Sequence, residues 1–187
     1  MKERGLDPQR LAIDQFAHDG GVLEGAWPQA EFSRLASSTL AEGDAPADVV
    51  WSATGEERRV AGGAPQTWLQ LDVATTVTLQ CQRCLQPMLL PLHIERAFRF
   101  VRDEAEAASL DEDSDDDVLA AGRWFDLRAL IEDELILALP VVPRHEQCPQ
   151  PLSVPDSVAE LGDEIAAEAA PNPFAALAAL RRPKAND

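Results

Sequence analysis

The sequence predicts an α+β fold in which an antiparallel β-sheet is covered by one long helix. Three observations predict it. Strand-like runs rich in β-branched and aromatic residues recur at 22–27, 48–54, 66–80 and 88–102. One amphipathic helix is written into 126–139. Between the two longest runs stands Cys81-Gln-Arg-Cys84, a turn that makes them an antiparallel hairpin. At this level it stays open whether the sheet curls into a partial barrel.

The first twenty residues lead into Gly20-Gly21, a flexible break, and the short strand 22–27 is closed by Pro28. A helix over 30–36 follows, because Phe32, Leu35 and Ala36 fall on one face, and the Gly43 to Pro46 region marks its exit. Residues 48–54 read as a strand through Val49, Val50 and Trp51. In 66–80 the alternation runs from Trp68 to Leu69, Leu71 and Val73, then to Val77 and Leu79, and the phase shift predicts a bulge or bend. The returning run 88–102 sets Leu92, Ile94, Phe98 and Phe100 on one side, with Arg96, Arg99 and Arg102 among its polar residues.

Acids then dominate, ending in Asp111-Glu-Asp-Ser-Asp-Asp-Asp117, with too few apolar residues to compensate for ordering. The stretch 103–122 is expected to be an acidic disordered loop, with a docking strip for a basic partner as the alternative. Asp126 is a good N-cap for the helix that follows, where Leu127, Leu130, Ile131, Glu134, Leu135 and Ala138 share a face. Glu134 lies in or beside that apolar stripe, so its carboxylate is expected to snorkel to solvent or to pair with an arginine of the returning strand, with a functional ion pair to a partner as the alternative. Pro140 and Pro143 stop the helix.

This pattern predicts one domain over 1–148 and a flexible acidic linker over 149–187 carrying a short helix at 173–182. In that tail Asn172 can cap, Pro173 suits the first helical position, and Phe174, Leu177 and Leu180 recur every three residues. Two readings remain for it: a recognition peptide that folds on a partner, or a terminal helix that docks on its own domain.

Charge bounds the partners. With 33 acidic against 16 basic residues the chain carries -17, a surface that repels phosphate backbones. Nucleic acid must then be met through a local basic patch, or through a basic protein that holds it. Three cysteines and no signal-peptide stretch argue against a secreted disulfide scaffold and for a cytoplasmic setting, and no apolar run is long enough to span a membrane.

The concentrated site chemistry is Cys81, Cys84, His145 and Cys148. A C-x-x-C turn can place two thiolates on one tetrahedral cation, and His145-Glu-Gln-Cys148 could supply the other two corners, giving a closed structural zinc site. About 60 residues separate the halves, so a metal would tie the end of the domain back onto its sheet. Inert thiols and a redox pair are the competing readings. A redox pair wants a helix N-terminus beside its first thiol, whereas Pro87 and the residues after Cys84 predict a strand.

Taken together, Leu79-Gln-Cys-Gln-Arg-Cys-Leu-Gln-Pro87, then 125–143 ending Leu139-Pro-Val-Val-Pro143 with His145 and Cys148, and finally Asn172-Pro-Phe-Ala-Ala-Leu177, resemble the YceD family of large ribosomal RNA subunit accumulation proteins. The resemblance implies a cytoplasmic bacterial protein, needed for normal levels or processing of 23S rRNA, with no enzymatic activity. It does not supply a molecular mechanism, and the metal rests on the spacing in this chain.

The leading expectation is a non-enzymatic ribosome-biogenesis factor. It would support 23S rRNA accumulation and large-subunit assembly through large-subunit rRNA or a basic ribosomal or RNA-processing protein, with no small-molecule substrate. Arg83, Arg96, Arg99 and Arg102 are candidates for a positive strip around the cysteine hairpin, the competing reading being that they pair with the many carboxylates. Phe174, Leu177 and Leu180 are candidates for a partner contact. The alternatives are an acidic protein–protein adaptor that affects rRNA indirectly, and a C-x-x-C thiol redox protein.

Overall fold

Alternation of side chains decides the sheet. The computed structural model describes residues 6–40, 47–111 and 117–149. Within them the chain runs α1 (Ile13–His18), β1 (Val22–Trp27), a 3-10 turn (Gln29–Glu31), α2 (Ser33–Ser38), β2 (Val49–Arg58), β3 (Gln66–Gln80), β4 (Pro87–Val101), α3 (Glu104–Asp111), β5 (Asp117–Ala120) and α4 (Leu127–Leu137). The fold is α+β. The five strands lie in the order β1-β2-β3-β4-β5, an open sheet that does not close into a barrel.

The pairing of β1 through β4 is antiparallel, and β5 adds to β4 in parallel, so the sheet is mixed. The parallel strand corrects the expectation of a wholly antiparallel sheet. Within the expected disordered loop 103–122, α3 and β5 correct the reading over 104–111 and 117–120, while 112–116 lie outside the described residues. Elementary capping explains the helix. Asp103 accepts the backbone N–H of Glu106 at 2.9 Å, and Glu104 and Glu106 sit in the first turn, where the helix dipole favours carboxylates. The crossover then returns Val118, Leu119 and Ala120 to the edge of β4, a connection of the length that parallel strands need.

No bulge interrupts β3. Its register with β4 is continuous from Thr67↔Phe100 to Gln80↔Pro87. The apparent phase shift has two physical causes. Thr75 faces the core, where its hydroxyl accepts from Gln29 Nε2 at 2.8 Å and donates to the Ala47 carbonyl at 3.2 Å, so a polar residue occupies an inward position without an unmet hydrogen bond. Trp68 faces the other way but is covered by the Arg58 guanidinium, 4.1 Å from its ring centroid.

The core lies on one face of the sheet. Leu69, Leu71, Val73, Val77 and Leu79 of β3 meet Leu92, Ile94, Phe98 and Phe100 of β4, and α4 contributes Leu127, Leu130, Ile131 and Leu135. Each fully buried side chain of this kind contributes about 1.5–3 kcal/mol. The expected helix over 30–36 is divided at Phe32, whose backbone leaves the helical region to send its ring into the core. Helix α1, which the sequence reading did not identify, packs against β2. A Cβ at Gly55 would stand 2.8 Å from the Ala17 Cα, so only glycine allows that approach.

Asp126 caps α4 as expected, accepting the Ala129 N–H at 3.0 Å. Leu11 and Phe125 exchange backbone hydrogen bonds at 2.9 Å, which joins the N-terminal segment to the start of α4. Phe174, Leu177 and Leu180, with the expected 173–182 helix, lie outside the described residues.

Candidate metal centre

The β3–β4 hairpin turns at 81–86. The Cys81 carbonyl accepts the Leu85 N–H at 2.9 Å, and Cys81 donates its own N–H to the Gln86 carbonyl at 3.0 Å. Leu85 takes the left-handed conformation, with φ 60°, that such a tight reversal requires. From the downstream segment, the His145 N–H donates to the Cys81 sulfur at 3.4 Å. After α4, Pro140 and Pro143 keep the chain out of helix and return it to this turn, where the Gln82 N–H donates to the Pro143 carbonyl at 2.8 Å.

The result brings Cys81, Cys84, His145 and Cys148 together, with one donor atom from each lying within 4.8 Å of all the others. The Cys81 and Cys148 sulfurs are 3.9 Å apart, and Cys84 Sγ is 3.4 Å from His145 Nδ1. A tetrahedral site with Zn–S of ~2.3 Å and Zn–N of ~2.0 Å has S–S edges of about 3.8 Å and S–N edges of about 3.5 Å. The donor set therefore fits a four-coordinate cation in both identity and spacing. A disulfide needs an S–S distance of ~2.05 Å, and all three cysteines are free.

Electrostatics favour an anionic sulfur. Burial alone would push the Cys81 thiol up, but the backbone N–H groups of Cys84, His145 and Arg83 aim at it and bring its pKa from 9.0 down to about 5. Burial holds the neighbouring Cys84 thiol up. Arg83 is part of the same cluster: Nε donates to Cys148 Sγ at 3.0 Å, and Nη2 donates to the His145 and Glu146 carbonyls at 3.0 and 3.3 Å. An arginine expected on a surface strip is thus occupied in holding the downstream half of the cluster against the turn.

The remaining arginines do not join it. Between Pro87 and Arg99, β4 covers roughly 40 Å at ~3.3 Å per residue. Arg96 shares the core-facing side with Ile94 and Phe98, where Nη1 donates to Glu134 at 3.0 Å and Nη2 to Asp117 at 2.5 Å. The partner anticipated for the buried Glu134 is therefore present, and Asp117 of β5 is a third member that sequence patterning did not reveal. Arg99 points to the opposite face, and Arg102 follows the end of the strand. The four do not make one positive strip. His18 and His93 form surface pairs with Glu57 and Asp72, each at 3.0 Å. Among the described residues, no helix is long and apolar enough to cross a membrane.

An open α+β sheet whose longest hairpin carries a closed Cys3His cluster defines a class of small protein with a metal-compatible clip. Within that class, the chain belongs to the YceD family: the family model described as "Large ribosomal RNA subunit accumulation protein YceD" matches residues 69–181, more than half of the chain. A Haemophilus influenzae protein named "Large ribosomal RNA subunit accumulation protein YceD" is 37% identical over 111 residues, covering 59% of this chain and 63% of the relative. The chain thus spans less than two thirds of that relative's length. No solved structure matches it.

Proposed function

We propose that this chain is a non-enzymatic factor in ribosome biogenesis that supports 23S rRNA accumulation and processing and large-subunit assembly in the cytoplasm. The observation that carries the reading is the family match over 69–181. Its working form is a domain over 1–148 fastened by a structural Zn2+ on Cys81, Cys84, His145 and Cys148, followed by an acidic linker with a short recognition helix at 173–182. A set of three thiol sulfurs and one imidazole fills all four corners of a zinc site, leaving no position for substrate or activated water, and this supports a structural ion over a catalytic one. Zinc also accounts for the separation of the two halves in sequence, since a cation joining Cys81 to Cys148 closes a long loop.

The partner is large-subunit rRNA or a basic ribosomal or RNA-processing protein. Direct contact with rRNA is the first form of this reading. The second, an acidic adaptor, is favoured by the net charge of -17. Deleting the chromosomal copy tests the function: the ratio of 23S to 16S rRNA should fall and return on complementation with the full chain. An unchanged ratio through growth would reject the reading. Crosslinking a tagged chain in growing cells separates the two forms, since RNA crosslinks within 23S favour direct contact and protein crosslinks alone favour the adaptor.

A further inference from the structure

The end of the sheet opposite the cysteine turn holds a cleft of about 480 Å³ between the β2–β3 connection and the end of β4. This lies in the range of ~300–1,000 Å³ typical of small-ligand sites. Arg99 and Arg102 line it, together with Gln66, Thr67, Asp14 and Glu106. In so acidic a chain, arginines are expected to find carboxylates, and Arg34, Arg58, Arg96 and Arg128 do. Among the described residues, Arg99 and Arg102 do not, and neither do Arg10, Arg59, Arg83, Arg123 and Arg144, but only Arg99 and Arg102 share the lining of one cleft. The Nε of Arg99 is also buried with no hydrogen-bond partner. The rest of that guanidinium makes no hydrogen bond within the described residues, so its Nη donors remain for a group entering the cleft.

We propose that this cleft binds a phosphate group through Arg99 and Arg102. The Nε and Nη donors of an arginine make a planar fork that matches two oxygens of a phosphate, and a second arginine supplies the remaining charge. The two carboxylates do not fill that role. Asp14 accepts from the Thr67 hydroxyl at 2.9 Å, and Glu106 accepts from the Arg102 backbone N–H at 3.3 Å, so each is occupied within the protein. Thr67 and Gln66 add polar groups at the wall. The site deepens the direct-contact form of the preceding reading and rests on it for the source of the phosphate, an RNA backbone; a free phosphate or nucleotide offers the same chemistry.

The test uses the full chain, labelled with 15N, and follows the Arg99 Nε–H resonance while inorganic phosphate and, separately, a single-stranded 23S rRNA oligonucleotide are added. The resonance should shift with both. Arg99→Gln/Arg102→Gln should lose about tenfold in RNA affinity, and its salt dependence should flatten by about 1.4 in the slope of log K against log salt, ~0.7 for each lost single-strand contact. Arg99→Lys keeps the charge without the fork and should lose affinity at an unchanged melting temperature. Arg10→Gln, outside the cleft, should bind as wild type does. A shift with phosphate in a chain that does not bind RNA supports the site with a free phosphate source and removes the direct-contact reading. RNA binding that leaves the Arg99 resonance unmoved and both Arg99 variants unaffected overturns the site while that reading stands. No shift with either ligand also overturns it, as does a shift with an acidic peptide alone.

Discussion

Arg83 donates its Nε–H to the Cys148 sulfur at 3.0 Å, so a residue inside the first cysteine pair fastens the last member of the second. The same guanidinium reaches the carbonyls of His145 and Glu146, which makes it a clamp with three acceptors on one short segment. Three thiolates and one Zn2+ would carry a net charge of -1, and Arg83 offsets it.

Arg83→Ala is expected to weaken zinc retention by about 10- to 100-fold, the usual effect of removing an outer contact of a metal site. Arg83→Lys should recover only part of it, since an ammonium cannot reproduce the three-way fork. Competition with a chromogenic chelator measures both. Equal retention in wild type and Arg83→Ala would mean that the clamp is incidental.

The triad of Arg96, Glu134 and Asp117 joins β4, α4 and β5. Glu134 is 6% exposed, so stranding its charge is costly, while the 40% exposure of the Arg96 side chain lets solvent screen the pair. Arg96→Met should therefore destabilise the chain by about 1–3 kcal/mol, less than the ~3–5 kcal/mol of a fully buried pair. Arg96→Met/Glu134→Leu should regain most of that loss. Urea denaturation of the two single variants and the double variant reads out the coupling; strictly additive effects would contradict it.

Glu132 links α4 to α2 in a pH-dependent way. Its Oε1 accepts the N–H groups of Arg34 and Leu35 at 2.7 and 3.2 Å, capping the first turn of α2 from another helix, and its Oε2 accepts from Arg34 Nε at 3.0 Å. Burial pushes this carboxyl up, but the two backbone N–H groups and the guanidinium more than offset it and hold the pKa below its usual 4.5. A lowered folded pKa means that the stabilisation is present above pH 4.5 and is lost as pH falls through the lower folded value. Glu132→Gln should therefore flatten the acid limb of the melting temperature against pH profile below 4.5 while lowering the neutral plateau. A wild-type acid limb retained in Glu132→Gln would rule this out.

Most of the sheet was legible because β3 and β4 follow period two and β1 is a short strand-like run closed by Pro28, and α4 because Asp126 and its apolar face follow helical spacing. The cysteine cluster was legible too, since two tight pairs at the ends of a hairpin and a helix stop report their own proximity. Other features depended on tertiary partners. Thr75 broke the visible alternation although Gln29, 46 residues away, satisfies it. Helix α3 was hidden by acidity, because a carboxylate run reads as repulsive until Asp103 is seen as its cap. Arg83, Arg96 and Arg99 looked alike as cations of one hairpin, yet a turn contact, a core-facing position and an outward-facing position send them to three different places.

Metal content tests the central claim, that Cys81, Cys84, His145 and Cys148 form a zinc clip at the end of the hairpin. The full chain, purified without chelator, should carry one zinc per chain by elemental analysis. Cys84→Ser should lose it, and chelation should lower the melting temperature of the wild type by several degrees. A metal-free chain whose three thiols react as readily as free cysteine, with a melting temperature indifferent to added zinc and to chelator, would contradict the account.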